Sequence, residues 1–185
     1  MKSITRRNFG FSLACVPFVA ACGNGVGSTK GQEIDARSDA TMDYLLTNFP
    51  ASQEVDRKST GKLIMPLVTE GGLIVGGGFG RGALRVGGAT VDYYSATKGS
   101  VGLQIGAQQF AHVLWFMTED ALANFRRASG WVAGADVEYV INDQGANLRA
   151  DTVTTTAPVV GIVFGQGGAL VGASLEGMKY TRIIP

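Results

Sequence analysis

Gly71-Gly72-Leu73-Ile74-Val75-Gly76-Gly77-Gly78-Phe79-Gly80-Arg81-Gly82-Ala83-Leu84-Arg85-Val86-Gly87-Gly88 holds nine of the 27 glycines in a chain of 185 residues. That density is costly in a helix interior, where each glycine loses about 1 kcal/mol against alanine. The residues between the glycines are Leu, Ile, Val and Phe, which suit strands. The stretch therefore predicts strands over Leu73–Phe79 and Ala83–Gly87, with glycines as the corners of a curved sheet, since glycine in a strand permits sharp bends and close backbone approach. Gly78 to Ala83 formally fits the loose dinucleotide-binding pattern. Such a fingerprint must open a helix inside a strand–helix–strand unit, and residues 83–95 are rich in Gly, Val, Thr and Tyr instead. No phosphate-cradling Gly-Lys-Ser/Thr follows, so no nucleotide is expected and no cofactor is implied.

Working outward, Lys62–Val68 reads as a strand, with Pro66 hinting at an edge or a bend. Thr90–Ser95, Val101–Ala107 and Phe110–Met117 follow. Phe110–Met117 is apolar on both faces, as in a strand covered on both sides. Thr118 can cap a helix from Glu119 to about Ala128, with Leu122 and Phe125 turned inward. Ala135–Ile141, Val153–Phe164 (interrupted at Pro158) and Ala169–Ile183 complete the strands. Upstream, Ser38, Met42, Leu45, Leu46 and Phe49 recur at helical spacing within Ile34–Phe49. Pro50 can open a second short helix through Lys58, closed by Gly61. The expected class is α+β: a curved antiparallel sheet or small barrel packed by N-terminal helices and one internal helix.

The N-terminus, MKSITRRNFGFSLACVPFVAAC, carries basic Lys2, Arg6 and Arg7 ahead of an apolar run from Phe9 to Ala21. A membrane-spanning helix needs about 20 apolar residues; this shorter run has the flanks of a signal peptide. Thr5-Arg6-Arg7-Asn8-Phe9 resembles the twin-arginine export motif. Val19-Ala20-Ala21-Cys22 resembles a lipobox, in which small residues admit the peptidase and the Cys22 thiol takes the diacylglyceryl group. A rival at Ser12-Leu13-Ala14-Cys15 has too little apolar sequence before it. Expected divisions are a signal peptide at 1–21, a Gly/Ser-rich flexible tether at 22–33 and one folded domain at 34–185. Residue 23 is Gly rather than Asp, which by resemblance to lipoprotein sorting favours the outer membrane, facing periplasm or surface.

Of 16 basic residues, removal of Lys2, Arg6 and Arg7 leaves 13, against 15 acids that all follow Cys22. A net charge of −2 gives no global attraction for nucleic acid. Cys22 becomes the only cysteine, so no disulfide, cysteine metal site or thiol nucleophile remains. His112 is the only histidine; it shares a strand face with Phe110, Leu114 and Phe116, and is expected to be buried and hydrogen-bonded to backbone. Glu119 and Asp120 occupy a first helical turn, where the dipole favours acids. No nucleophile–base pair or metal cluster is visible, so no enzyme is expected. Arg81 and Arg85 would project from one strand face about 7 Å apart, and guanidinium groups bind phosphate with paired donors. Arg57, Lys58 and Lys62 form a second basic cluster. All five are candidates for lipid headgroups, with a solvated polar face as the plainer alternative.

Gly77-Gly78-Phe79-Gly80-Arg81-Gly82, then Gly102-Leu103-Gln104-Ile105-Gly106, then Ser174-Leu175-Glu176-Gly177 resemble, in order and spacing, the SYLF (Ysc84 actin-binding) domain family over roughly residues 34–183. The resemblance implies a lipid-binding module; eukaryotic members bind phosphoinositide membranes, some bind actin, and bacterial members look like single-domain envelope lipoproteins. It brings no catalytic residues. An export signal makes actin an improbable native partner, and an acyl anchor stands where the eukaryotic basic segment would be. Ala111-His112 follows the Gln-Ile-Gly strand where relatives often carry an acid. The expected function is a lipid-anchored envelope lipoprotein whose domain binds phospholipid membranes or another amphiphile. The alternative is an envelope protein that binds another protein and no lipid.

Overall fold

The computed structural model describes residues 25–72, 75–101, 106–134, 137–142, 157–165 and 174–185. Two helices, α1 (Thr29–Asn48) and α2 (Ser52–Lys58), precede four long strands: β1 (Gly61–Gly72), β2 (Val75–Val86), β3 (Ala89–Val101) and β4 (Gly106–Phe116). Then come α3 (Glu119–Arg127), β5 (Trp131–Val132), β6 (Val137–Asn142), β7 (Val159–Phe164) and β8 (Lys179–Ile183). All eight strands form one sheet in the order β5-β8-β3-β2-β1-β4-β7-β6. The class is α+β with a curved sheet, as the sequence implies. One pair departs from the antiparallel expectation: β6 runs parallel to β7.

The curvature has a simple cause. β5 and β6 are the two edge strands, yet only four residues separate Val132 from Val137. That link spans at most about 18 Å. Eight flat strands would hold their edges roughly 34 Å apart at about 4.8 Å spacing. The sheet must therefore curl strongly, as a half-barrel does. Ala133 continues the β5 ladder, donating its N–H to the Met178 carbonyl and accepting from Gly177.

Curling creates an inside and an outside. Inside lie Leu63, Met65, Val68, Leu84, Tyr94, Phe110, Leu114, Phe116 and Tyr180, plugged by Leu122 and Phe125 of α3. The Phe125 ring meets Tyr94, Phe116, Trp131 and Tyr180, and such burial stabilises by about 2–3 kcal/mol. Thr118 caps α3, its hydroxyl accepting from the Ala121 N–H at 3.2 Å. Outside, Met42, Leu45 and Val55 of α1 and α2 pack on Ile64, Val113, Trp115, Val160 and Ile162. Phe110–Phe116 is thus covered on both faces, as its composition predicts.

Three expectations are corrected. Gly80 and Gly82 do not break the chain into two strands; β2 runs unbroken from Val75 to Val86. Pro66 does not mark an edge, because β1 lies between β2 and β4. It marks the bend that was the other expectation, a bulge: β1 uses three steps from Ile64 to Leu67 where β2 uses two, and three from Met65 to Val68 where β4 uses two. A proline, lacking an N–H, fits there without losing a ladder bond. The bulge pushes the Ile64 carbonyl at β2, so a Cβ on Gly82 would lie 2.0 Å from that oxygen. Glycine is therefore required at 82 for close approach. Finally, α1 starts at Thr29 and not Ile34, so residues 29–33, expected in the tether, are helical. Ser28 caps this end, accepting from the Gly31 N–H at 3.0 Å.

Candidate functional site

α1 lies on the outer face of the sheet, where polar groups on β2 and β3 add to the apolar packing of Ile34, Met42 and Leu45. Asp35 accepts hydrogen bonds at 2.8 Å from the Tyr93 hydroxyl and from Thr90. Asp39 pairs with Arg85, whose guanidinium also donates to the Asp35 carbonyl. Burial, then the bond to Asp35, pushes the Tyr93 hydroxyl up to about 12. Ile34 packs on Ala83 and Tyr93 beside these bonds.

Beyond the flank of α1 the outer face opens into a groove. Its first section, about 330 Å³, is lined by Lys30, Ile34, Arg37, Leu67, Phe79 and Arg81, among others. A second, about 450 Å³, shares Arg37, Pro66 and Leu67 and adds Tyr44. Phe79 is 50% exposed, Tyr44 41% and Leu67 37%. Among large apolar residues such exposure is uncommon enough to be informative when several line one groove. Lys30, Arg37 and Arg81 stand around this apolar floor. The Arg81 guanidinium sits over the Phe79 ring, 5.5 Å from its centre, an attraction of order 0.5–1 kcal/mol at an exposed site. Arg37 pairs with Glu33 at 2.7 Å, with both side chains more than half exposed, so that pair is weak and leaves Arg37 open to exchange. The groove presents cations beside apolar surface.

The sequence-derived candidates separate here. Arg81 and Arg85 do share the outer face, as period two requires, but only Arg81 reaches the groove; the Arg85 side chain is 15% exposed and committed to α1. Lys62 is similarly committed: it pairs with Asp56, which also accepts from the Trp115 indole at 2.8 Å. Lys58 pairs with Glu54 one turn earlier and lowers the Glu54 carboxyl below its ordinary range, while Arg57 is exposed. None of these three lines the groove. Cys22, Arg6 and Arg7 lie outside the described residues. Phe79, Leu67, Tyr44, Lys30 and Arg37 were not singled out from sequence. The period-two reading that placed Arg81 outward places Phe79 beside it, so that signal was available.

His112 is fully buried, and its hydrogen bond runs not to backbone but to the Tyr180 hydroxyl, through Nε2 at 2.8 Å. Nδ1 makes no hydrogen bond among the described residues. Burial drives the ring down from its ordinary 6.5 to about 3, so it is neutral at physiological pH. No group of three or more His, Cys, Asp or Glu is placed to hold a metal among the described residues, and no helix among them is long and apolar enough to cross a membrane.

Residues 97–182 match the family model Ysc84, described as a Las17-binding protein actin regulator. This stretch belongs to the Ysc84, or SYLF, family. The Ysc84 match begins near the end of β3 and takes in β4, α3 and β5 to β7, ending within β8. It leaves out α1, β1 and β2, which line the groove. No curated protein matches the chain.

Proposed function

We propose that the protein is a lipid-anchored envelope lipoprotein whose single domain binds phospholipid, or a similar amphiphile, in the groove beside α1. The observation that carries this reading is the coincidence of exposed Leu67, Phe79 and Tyr44 with Lys30, Arg37 and Arg81 in one groove. Acyl chains suit the first set and phosphate oxygens the second. Anchoring rests on the lipobox ending at Cys22. Gly25 and Ser28 lie against Pro185, so an acyl group on Cys22 would hold Gly25 within roughly 11 Å of a bilayer and the start of α1 within roughly 25 Å. With a net charge of −2 after processing, attraction must be local. Binding rather than catalysis fits a histidine sealed in the core.

The test is vesicle co-sedimentation of the Cys22→Ala chain with anionic phospholipid at low and physiological salt. Basic groups near an anionic surface contribute about 1 kcal/mol each. Arg37→Gln with Arg81→Gln should therefore weaken binding roughly thirty-fold, whereas Arg85→Gln should lower stability and leave binding near wild type. Equal binding by the Arg37/Arg81 variant removes the groove. The family description names a protein partner; specific capture of one protein without vesicle binding would put the interaction-protein reading first.

A further inference from the structure

The inside of the sheet carries a second polar feature that the groove does not use. Lys98, Gly78, Glu70 and Gln108 are direct partners across β3, β2, β1 and β4. They form one row, two residues beyond the row Ala96, Gly80, Val68 and Phe110, whose side chains belong to the interior core. Alternation therefore points the Lys98 row inward. Gly78 is bare because Glu70 lies across it: a Cβ there would stand 2.8 Å from Glu70 Cγ. Gln108 Nε2 donates to Glu70 Oε2 at 3.0 Å. Glu70 is 7% exposed, and its Oε1 has no hydrogen-bond partner among the described residues. The Lys98 ammonium stands 3.9 Å from Oε1, beyond hydrogen-bond reach, and donates to the Ser174 carbonyl instead. An ammonium has three donors. A buried carboxylate oxygen left bare costs about 1–3 kcal/mol or more, which marks a place where a partner fits.

The next row outward is Ser100, Gly76, Gly72 and Gly106. Three of its four positions have no side chain, so a polar floor adjoins bare backbone. Gly71, Gly72 and Gly76 are half-buried.

We propose that this row is a binding site for a small zwitterion whose primary ammonium donates to Glu70 Oε1 and whose anionic oxygens accept from Lys98. The charges of the site favour that class. A lone cation or anion would leave one net charge in a half-buried space, which is unfavourable; a zwitterion of reversed polarity completes two pairs and keeps the site neutral. Hydrogen bonding narrows it further, because Oε1 needs a hydrogen-bond donor, which a quaternary ammonium lacks. Phosphoethanolamine has this chemistry, either free or as a lipid headgroup.

The full chain carrying Cys22→Ala is titrated calorimetrically with O-phosphoethanolamine and with phosphocholine, and sedimented with phosphatidylcholine vesicles with and without phosphatidylethanolamine. Phosphoethanolamine should bind at least tenfold more tightly than phosphocholine, a comparison that needs no variant. Glu70→Gln, which keeps shape and hydrogen bonding, should lose at least tenfold. Binding of the free compound alone identifies a solute site, and enhanced sedimentation with phosphatidylethanolamine identifies a headgroup site. The Arg37→Gln/Arg81→Gln variant should bind phosphoethanolamine normally, so the two sites succeed or fail separately. No binding of either form, equal binding of phosphocholine, or an unaffected Glu70→Gln variant overturns the proposal.

Discussion

Neutral His112 makes stability depend on pH in a way that one substitution isolates. The ring sits among Phe110 and Tyr180 with only Nε2 bonded. A second proton would place a charge in this apolar setting, where Nδ1 has no hydrogen-bond partner among the described residues. The folded ring therefore resists protonation down to about 3, while in the unfolded chain it titrates at its ordinary 6.5. Between those values the unfolded state binds the extra proton, so stability is full above pH 6.5 and is lost as pH falls toward 3. At about 1.36 kcal/mol per pH unit, lowering the pH from about 7.5 to about 5.0 should cost about 2 kcal/mol through this residue alone. Carboxylates titrate in the same region, so the comparison is with His112→Gln, which keeps a hydrogen bond for Tyr180. Urea unfolding of both chains at three pH values should show the stability gap shifting by about 2 kcal/mol in favour of the variant on acidification. A gap that stays constant refutes a neutral, proton-excluding histidine. Loss of vesicle binding by a folded His112→Gln chain would instead reveal a functional role for the ring.

Gly82→Ala should destabilise by at least about 2 kcal/mol, lowering Tm by about 4–8 °C, because its Cβ meets the Ile64 carbonyl at the bulge. Gly99→Ala, with no atom within 4 Å, should be near neutral in the same thermal scan. Cys22→Ala should move the protein from the membrane fraction to the soluble one and abolish palmitate incorporation; continued labelling removes the lipobox assignment.

The parts of the fold legible in sequence were those set by local pattern. Two-sided hydrophobicity marked β4, Thr118 and the Glu119-Asp120 turn marked α3, and the glycine run marked the curved region. The start of α1 was hidden because its first turns, residues 29–33, bury only Gly31, a small residue that lets the helix lie close to its neighbours and mimics a linker in composition. The parallel β6–β7 pair could not be read because nothing within either strand fixes its neighbour. The candidate site was half legible. Alternation put Arg81 and Arg85 on one face, but which of them α1 covers depends on Asp39, 46 positions before Arg85. For the same reason the exposure of Phe79 is a tertiary fact: it lies just past the helix that would have buried it.

The position of β8 bears on how the chain is made. This last strand lies between β3 and β5, pairing Tyr93–Thr97 with Ile183–Lys179 on one side and Trp131–Val132 with Tyr180–Lys179 on the other. Synthesis proceeds from the N-terminus, so β1, β2 and β3 can zip as hairpins early, but the β3 edge that β8 covers stays open until Lys179–Ile183 leave the ribosome. Contacts that join residues more than 80 positions apart close slowly. An incomplete chain ending before Lys179 would expose that edge together with the Phe125 pocket, a surface prone to pairing with other chains. Emergence of β8 is thus the step that covers this edge, and a chain stopping at Met178 lacks β8 entirely.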